Sequence, residues 1–220
     1  MKVAQSGFGM PRPWISCNLA ISADGKISSA THRPSTWTSD QDRARLRSLR
    51  GPAQALLVGR GTLLRDRMTL TSPESASPPL RCIVSHHGEI PAEHPIFHRE
   101  GGEIHLLATG EPRSPAGLPI TLHHQSLEAF LNTLATQHGV QHIHCEGGGQ
   151  LIASLAALDA LDEIHLTWAG HTLFGGEQSP SLCGTPGSFL PSTLRYELHS
   201  LEISGSGSEC FLSYRRLRDQ

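Results

Sequence analysis

The sequence predicts an α/β protein with a mixed, mostly parallel sheet covered by helices on both faces and finished by a C-terminal antiparallel hairpin. Three observations lead there. Short apolar runs of strand length alternate with helical segments, two of those runs enter glycine-rich turns that open helices, and the last two strand candidates are joined by Ser204-Gly-Ser-Gly-Ser208.

In chain order, Trp14 to Ile21 reads as a strand running into the turn Ser22-Ala-Asp-Gly25. Ser39 is an N-cap for a helix from Asp40 to Arg50, acidic at its start and basic at its end as the helix dipole favours, and Gly51-Pro52 stops it. Ala53 to Val58 is a buried strand entering Gly59-Arg-Gly61, with a short helix from Thr62. The Ser/Pro-rich stretch between Arg67 and Arg81 is a surface loop. Strands follow at Arg81 to Ser85 and Glu103 to Thr109. A polar loop then leads to an amphipathic helix from Ser126 to His138, with Leu127, Phe130, Leu131 and Leu134 on its apolar face. Val140 to Cys145 is a strand, Glu146-Gly147-Gly148-Gly149 a turn, and Leu151 to Leu161 a helix. Asp162 to Ala169 is a further strand, and Tyr196 to Ile203 with Glu209 to Leu217 form the hairpin.

Length and composition bound the function. A chain of 220 residues buries roughly 70% of its unfolded surface, so a single domain needs no disulfide or structural metal. The net charge of −2 and pI near 6.7 give no attraction for nucleic acid or an anionic membrane. Five cysteines without a C-x-x-C pair fit a reducing compartment. Met1 to Pro13 lacks the apolar run of a signal peptide, so a cytoplasmic protein is expected.

The chemistry concentrates in the glycine turns. A strand that ends in consecutive glycines and opens a helix leaves backbone N–H groups free at the helix start, where anions bind. A plain tight turn explains Gly147 to Gly149 equally well, and the G-x-G-x-x-G dinucleotide spacing is absent. Gly59-Arg60-Gly61-Thr62 repeats the pattern. Among 14 histidines, His142-x-His144 would put two imidazoles on one strand face, but no third ligand follows at a characteristic spacing, and no metal is expected. His144-x-Glu146 opens a zinc-deaminase signature whose P-C-x-x-C half is missing.

Six pieces stand in the order of a known family: Asn18-Leu-Ala-Ile-Ser-Ala-Asp24-Gly-Lys-Ile27, Trp37-Thr-Ser39, Leu57-Val-Gly-Arg-Gly-Thr-Leu-Leu-Arg-Asp66, Leu70-Thr71, Glu146-Gly-Gly-Gly149 and Leu161-Asp-Glu-Ile164. The chain thereby resembles the pyrimidine reductase domain of riboflavin biosynthesis from about Pro13 to Tyr214. That resemblance implies a dihydrofolate-reductase-like three-layer αβα sandwich, a homodimer, and NADPH as the donor that reduces a phosphoribosylamino-pyrimidine. One reductase domain is expected over the chain, without a deaminase domain. The resemblance puts Ala20, Trp37, Gly59, Thr62 and Asp66 on the cofactor side, with the turn Gly147, Gly148, Gly149 and the helix start Gln150, Leu151, Ile152. It puts Asn18, Ser35, Arg50, Leu70 and Glu146 on the substrate side.

Reduction of an open-chain imine adds hydride at carbon and a proton at nitrogen, so Glu146 and Asp66 are candidate proton sources beside Asn18. Without the family, Glu146 reads as a cap for nearby N–H groups and Asp66 as a helix-end cap. Three departures from the family bear on substrate. Asp66-Arg67-Met68 stands for an Asp-(Asn/Asp)-Pro turn. Ser72-Pro73 stands where an Arg helps hold substrate phosphate, leaving Arg50, Arg65 and Arg67 as replacements. Gly170 to Gly176 replaces a Pro-rich stretch. A same-fold reductase of another imine, enamine or pterin-like heterocycle is therefore an alternative, and a non-catalytic nucleotide-binding protein is a second.

Overall fold

The computed structural model describes residues 12–31, 37–113, 117–182 and 193–218. The chain divides into two compact units, one formed by Arg47–Cys145 with the chain up to Trp14, the other by Ile15–Leu46 with the chain from Glu146 on.

In the first unit five parallel strands lie in the order β5 (Thr121–His124), β4 (Ile104–Ala108), β3 (Leu80–Ser85), β2 (Ala55–Gly59) and β6 (His142–Cys145). The run Ala55-Leu-Leu-Val58 is buried throughout, as a strand covered on both faces must be. Its core joins Leu56, Val58, Ile83 and Leu106 to Leu63 of α2 (Arg60–Arg65) and to Leu70. Helix α3 (Leu127–Gln137) starts where Ser126 Oγ accepts the Ala129 N–H at 3.1 Å. It buries Phe130, Leu131 and Leu134, each such side chain contributing about 1.5–3 kcal/mol. The Arg81 guanidinium is buried and donates to the Gly102 and Ile96 carbonyls, both at 2.7 Å, so a charged residue inside a strand organises the loop before β4.

Strand β5 corrects the expected polar loop at this point. An edge strand of four residues carries no buried alternation, and Leu122 is its one apolar residue packed on the core.

In the second unit β1 (Trp14–Ser22) runs parallel to β7 (Glu163–Ala169), and β7 pairs antiparallel with β9 (Cys210–Arg216), which pairs antiparallel with β8 (Tyr196–Ile203). The pairing is therefore mixed and mostly parallel, with the C-terminal hairpin as expected. Asp162 secures the start of these strands. Its buried carboxylate accepts the Ile15 N–H at 2.8 Å and meets the Arg218 guanidinium at 2.6 Å, while its own N–H donates to the Ile15 carbonyl at 2.9 Å.

Helix α1 (Asp40–Arg50) has the boundaries its charges imply. Helix α4 (Gly149–Ala157) begins two residues earlier than its apolar pattern and stops four earlier. The stop is a left-handed Asp159 (φ +45°) with the Ala160 N–H donating to the Leu155 carbonyl and the Asp159 N–H to that of Ala156. This is the hydrogen-bond pattern of a glycine C-cap, and with Asp in place of Gly it gave no stop signal. No helix among the described residues is long and apolar enough to cross a membrane.

Candidate active site

The turn after β6 is built so that only glycine fits. Gly147 and Gly148 both have φ +87°, and a Cβ on Gly147 would stand 2.8 Å from Leu19 Cδ2. Gly148 is the N-cap of α4, no side chain caps the helix, and the first hydrogen bond within it runs from the Ile152 N–H to the Gly148 carbonyl at 3.1 Å. The N–H groups of Gly149, Gln150 and Leu151 therefore precede the helix ladder, at the positive end of the dipole. Leu151 and Ile152 turn their side chains into the core, so this start is anchored from beneath. Glu146, next to the first glycine, is 8% exposed. Such a turn can hold an anion, with a largely buried carboxylate beside it.

Asn18 lies on β1 opposite His165 of β7 and is oriented from α1. Arg45 donates to Asn18 Oδ1 at 3.3 Å, to Thr167 Oγ1 at 3.5 Å and to the Leu212 carbonyl at 3.1 Å, with its guanidinium 5.2 Å from the centre of the Phe211 ring. Thr167 Oγ1 in turn donates to the buried Asp42 carboxylate at 2.5 Å. Burial pulls the Arg45 pKa down while the charges of Asp42 and Glu202 push it up. Ala20 pairs with Thr167, two residues further along the same register.

A second arrangement in this unit holds Trp37. The Asp24 carboxylate accepts the Ser22 hydroxyl at 2.5 Å, the Gly175 N–H at 2.7 Å and the Phe174 N–H at 3.3 Å. These bonds hold its pKa down at about 2, the Ser22 hydroxyl contributing most and the Gly175 N–H next. Phe174, fixed by that carboxylate, meets the Trp37 ring edge to face at 5.0 Å. Ser39 is occupied in holding the start of α1. Its Oγ accepts the Asp42 N–H at 3.1 Å, and its own N–H and hydroxyl both donate to the buried Glu209 carboxylate.

In the first unit Gly59 is the N-cap of α2, Thr62 is buried on its first turn, and Asp66 is its C-cap, donating its N–H to the Thr62 carbonyl and accepting from Arg65 Nε at 3.3 Å. Asp66 thus has the helix-end position that its bare sequence context implies. Arg67 (φ +48°) and Leu70 (φ +52°) are both left-handed. For Leu this conformation is strained, and it is held because the side chain is buried in the core. Leu70 can therefore meet a ligand only through its main chain. Arg50 donates to the Thr71 carbonyl at 3.0 Å, which sets its guanidinium against this turn. Beside it, Ser72 Oγ is buried with no hydrogen-bond partner.

The candidate residues thus fall into groups within each unit: Asn18 and Ala20 on one strand, Trp37 with its clamp, and Glu146 with the α4 turn in the second; Gly59, Thr62 and Asp66 on α2, and Arg50 with Leu70 in the first. Ser35 lies outside the described residues. Neither His142 nor His144 belongs to a cluster of three ligating side chains among the described residues. Sequence reading missed Arg45 and Phe174. Arg45 is one of four arginines in α1, and only its contacts set it apart.

Comparison with known proteins adds to this geometry. A family model described as the RibD C-terminal domain matches residues 13–208. The chain is 29% identical over 215 residues to the 2,5-diamino-6-ribosylamino-4(3H)-pyrimidinone 5′-phosphate reductase of Archaeoglobus fulgidus, covering 89% of this chain and 95% of that protein. It is 27% identical over 187 residues to the riboflavin biosynthesis protein RibD of Bacillus amyloliquefaciens, covering 80% of this chain and 50% of RibD. The chain thus spans about half the length of that relative. Among solved structures, the diaminohydroxyphosphoribosylaminopyrimidine deaminase/5-amino-6-(5-phosphoribosylamino)uracil reductase of Thermotoga maritima is alike in fold, with a TM-score of 0.76 at 24% identity over 94% of this chain and 57% of that one.

The Asp24 clamp yields a test. A carboxylate whose folded pKa lies below its unfolded value of about 3.9 stabilises the fold above that value and stops doing so as pH falls through about 2. Protection of the Gly175 amide, corrected for intrinsic exchange, should stay level from pH 7 to about 4. It should drop roughly tenfold in Asp24→Ala at pH 7, the loss of about one charge-assisted hydrogen bond. Equal protection in wild type and variant would show that the carboxylate does not hold the loop.

Proposed function

The chain belongs to the RibD C-terminal domain family, and we propose from that premise that it is an NADPH-dependent oxidoreductase that reduces 5-amino-6-(5-phosphoribosylamino)uracil to its ribitylamino product. The carrying observation is the α4 start, where two glycines with positive φ lead into a first turn whose N–H groups have no side-chain cap. This suits the diphosphate of a nicotinamide dinucleotide. A second reading, that the substrate is the 2-amino pyrimidinone named for the Archaeoglobus reductase, has in its support that this relative is matched over 95% of its length.

NADPH, when bound, supplies the hydride that goes to the imine carbon. The chain's own residues position and exclude. Gly149 and Gln150 offer N–H donors to the diphosphate, with Ala20 and Trp37 of the same unit on the cofactor side; Gly59, Thr62 and Asp66 of the first unit are assigned to the cofactor by the family resemblance alone. His86 and His87, just after β3 with rings 4.3 Å apart, are the residues for a 2′-phosphate. Glu146, largely buried beside the α4 start, is the side chain assigned to proton delivery at the imine nitrogen. Asn18, fixed by Arg45, orients the substrate. Arg50, against the Leu70–Thr71 turn, takes the place of the absent family Arg at Ser72-Pro73 as the phosphate contact.

We read the protein as a homodimer joined through β8, because this edge strand carries Leu198, Leu201 and Ile203, each more than half exposed. Sedimentation should give a dimer at micromolar concentration and a monomer for Leu201→Glu with Ile203→Glu. A monomeric wild type would contradict this.

The activity is tested by following NADPH oxidation with the phosphorylated pyrimidine and its dephosphorylated form. The phosphorylated compound should turn over with a preference in kcat/KM of less than a hundredfold. Arg50→Ala should reduce kcat/KM for it by about ten- to a hundredfold, the worth of one charge-assisted contact, and leave the dephosphorylated form nearly unchanged. Absence of turnover with either pyrimidine while NADPH binds would favour a reductase of another heterocycle. Equal losses on both substrates would remove Arg50 from the phosphate.

A further inference from the structure

Four side chains around β4 and β5 take no part in the reductase reading, yet lie together in the first unit: Glu103, His105, His123 and His138. His105 is fully buried, and its Nδ1 faces His123 Nε2 at 3.0 Å. Its Nε2 is buried with no hydrogen-bond partner, 3.5 Å from Glu103 Oε2. His138, the C-cap of α3, sets its ring at right angles to that of His105, with centroids 4.6 Å apart. One ligand atom from each of Glu103, His105 and His138 lies within 4.8 Å of the other two.

A buried imidazole nitrogen without a partner is costly, and here it is aimed into a group of metal-ligating atoms. In the tautomer with the proton on Nδ1, donated to His123 Nε2, the Nε2 lone pair faces the Glu103 carboxylate, an arrangement of two electron-rich atoms that a cation between them satisfies. Two ligands of tetrahedral zinc, at bond lengths of about 2.0–2.2 Å, stand roughly 3.3 Å apart, close to the separation found here. His123 is placed as the outer partner that fixes tautomer and ring orientation, as ligating histidines ordinarily have.

We propose that Glu103, His105 and His138 bind a divalent transition-metal ion of the zinc class, with His123 orienting His105. Two imidazoles and one carboxylate select Zn(II), Co(II) or Ni(II) over Mg(II) or Ca(II). Three protein ligands leave a tetrahedral position to water, which fits a site whose Glu103 and His138 are exposed. The ion would tie the start of β4 to the end of α3 beside the short edge strand β5. The sequence carried no sign of this, since the ligands stand at 103, 105 and 138 with no C-x-x-C or H-x-x-x-H spacing.

The test is calorimetric titration of the untagged full chain with Zn(II), supported by the visible absorption of the Co(II) form. Wild type should bind one tight equivalent. His138→Ala and Glu103→Gln, at exposed positions that keep the fold by circular dichroism, should each bind at least about tenfold more weakly. His123→Phe should lose about ten- to a hundredfold, and His98→Ala, an exposed histidine elsewhere in the unit, should bind as wild type. No tight equivalent in wild type, unchanged affinity in both His138→Ala and Glu103→Gln, or a loss in His98→Ala equal to theirs would each overturn the site.

Discussion

The candidate site depends on a turn that only glycine can make. At Gly147 the left-handed backbone and the 2.8 Å approach of Leu19 to an added Cβ act together, so any side chain would have to displace a core residue of β1. Because the chain turns there, Glu146 stays buried on one side of the turn and α4 starts on the other with its dipole unscreened by a cap. The dipole alone contributes only about 0.3–1 kcal/mol toward an anion, whereas N–H bonds to a charged group contribute about 1.5–3 kcal/mol each. The uncapped donors of the first turn, more than the dipole, make the proposed diphosphate site.

Around that turn the second unit uses buried ionic and hydrogen-bonded groups as fasteners. Asp162 joins the beginnings of β1 and β7 to Arg218, Glu209 holds the N-cap of α1, and Arg45 ties α1 to β1, β7 and β9. Such pairs add little net stability over apolar packing, but removing one partner strands the other in the interior. Arg45 shows the gain: its planar fork meets Asn18, Thr167 and a carbonyl at once, which Lys could not reproduce. Asn18 therefore reaches the proposed substrate already oriented.

How much was legible in the sequence follows from what local chemistry encodes. Helix α1 could be delimited because its charges follow the dipole and Ser39 and Gly51 punctuate it, and β2 because a strand buried on both faces is a run of apolar residues. Strand β5 was hidden, since an edge strand held by its neighbour has no pattern of its own, and the end of α4 was hidden because Asp159 stands where glycine would ordinarily end the helix. The glycine turn and the residues beside it were visible as motifs. The contacts that position them, from Arg45, Phe174 and Arg50, depend on tertiary proximity across up to 168 positions of sequence.

A crystal structure of the protein grown with NADP⁺ tests the central claim most directly. The diphosphate oxygens should lie about 3 Å from the N–H groups of Gly149 and Gln150, as charge-assisted bonds require, with the nicotinamide on the side of Ala20 and Trp37. A diphosphate bound elsewhere, with the α4 turn left to solvent, would contradict it.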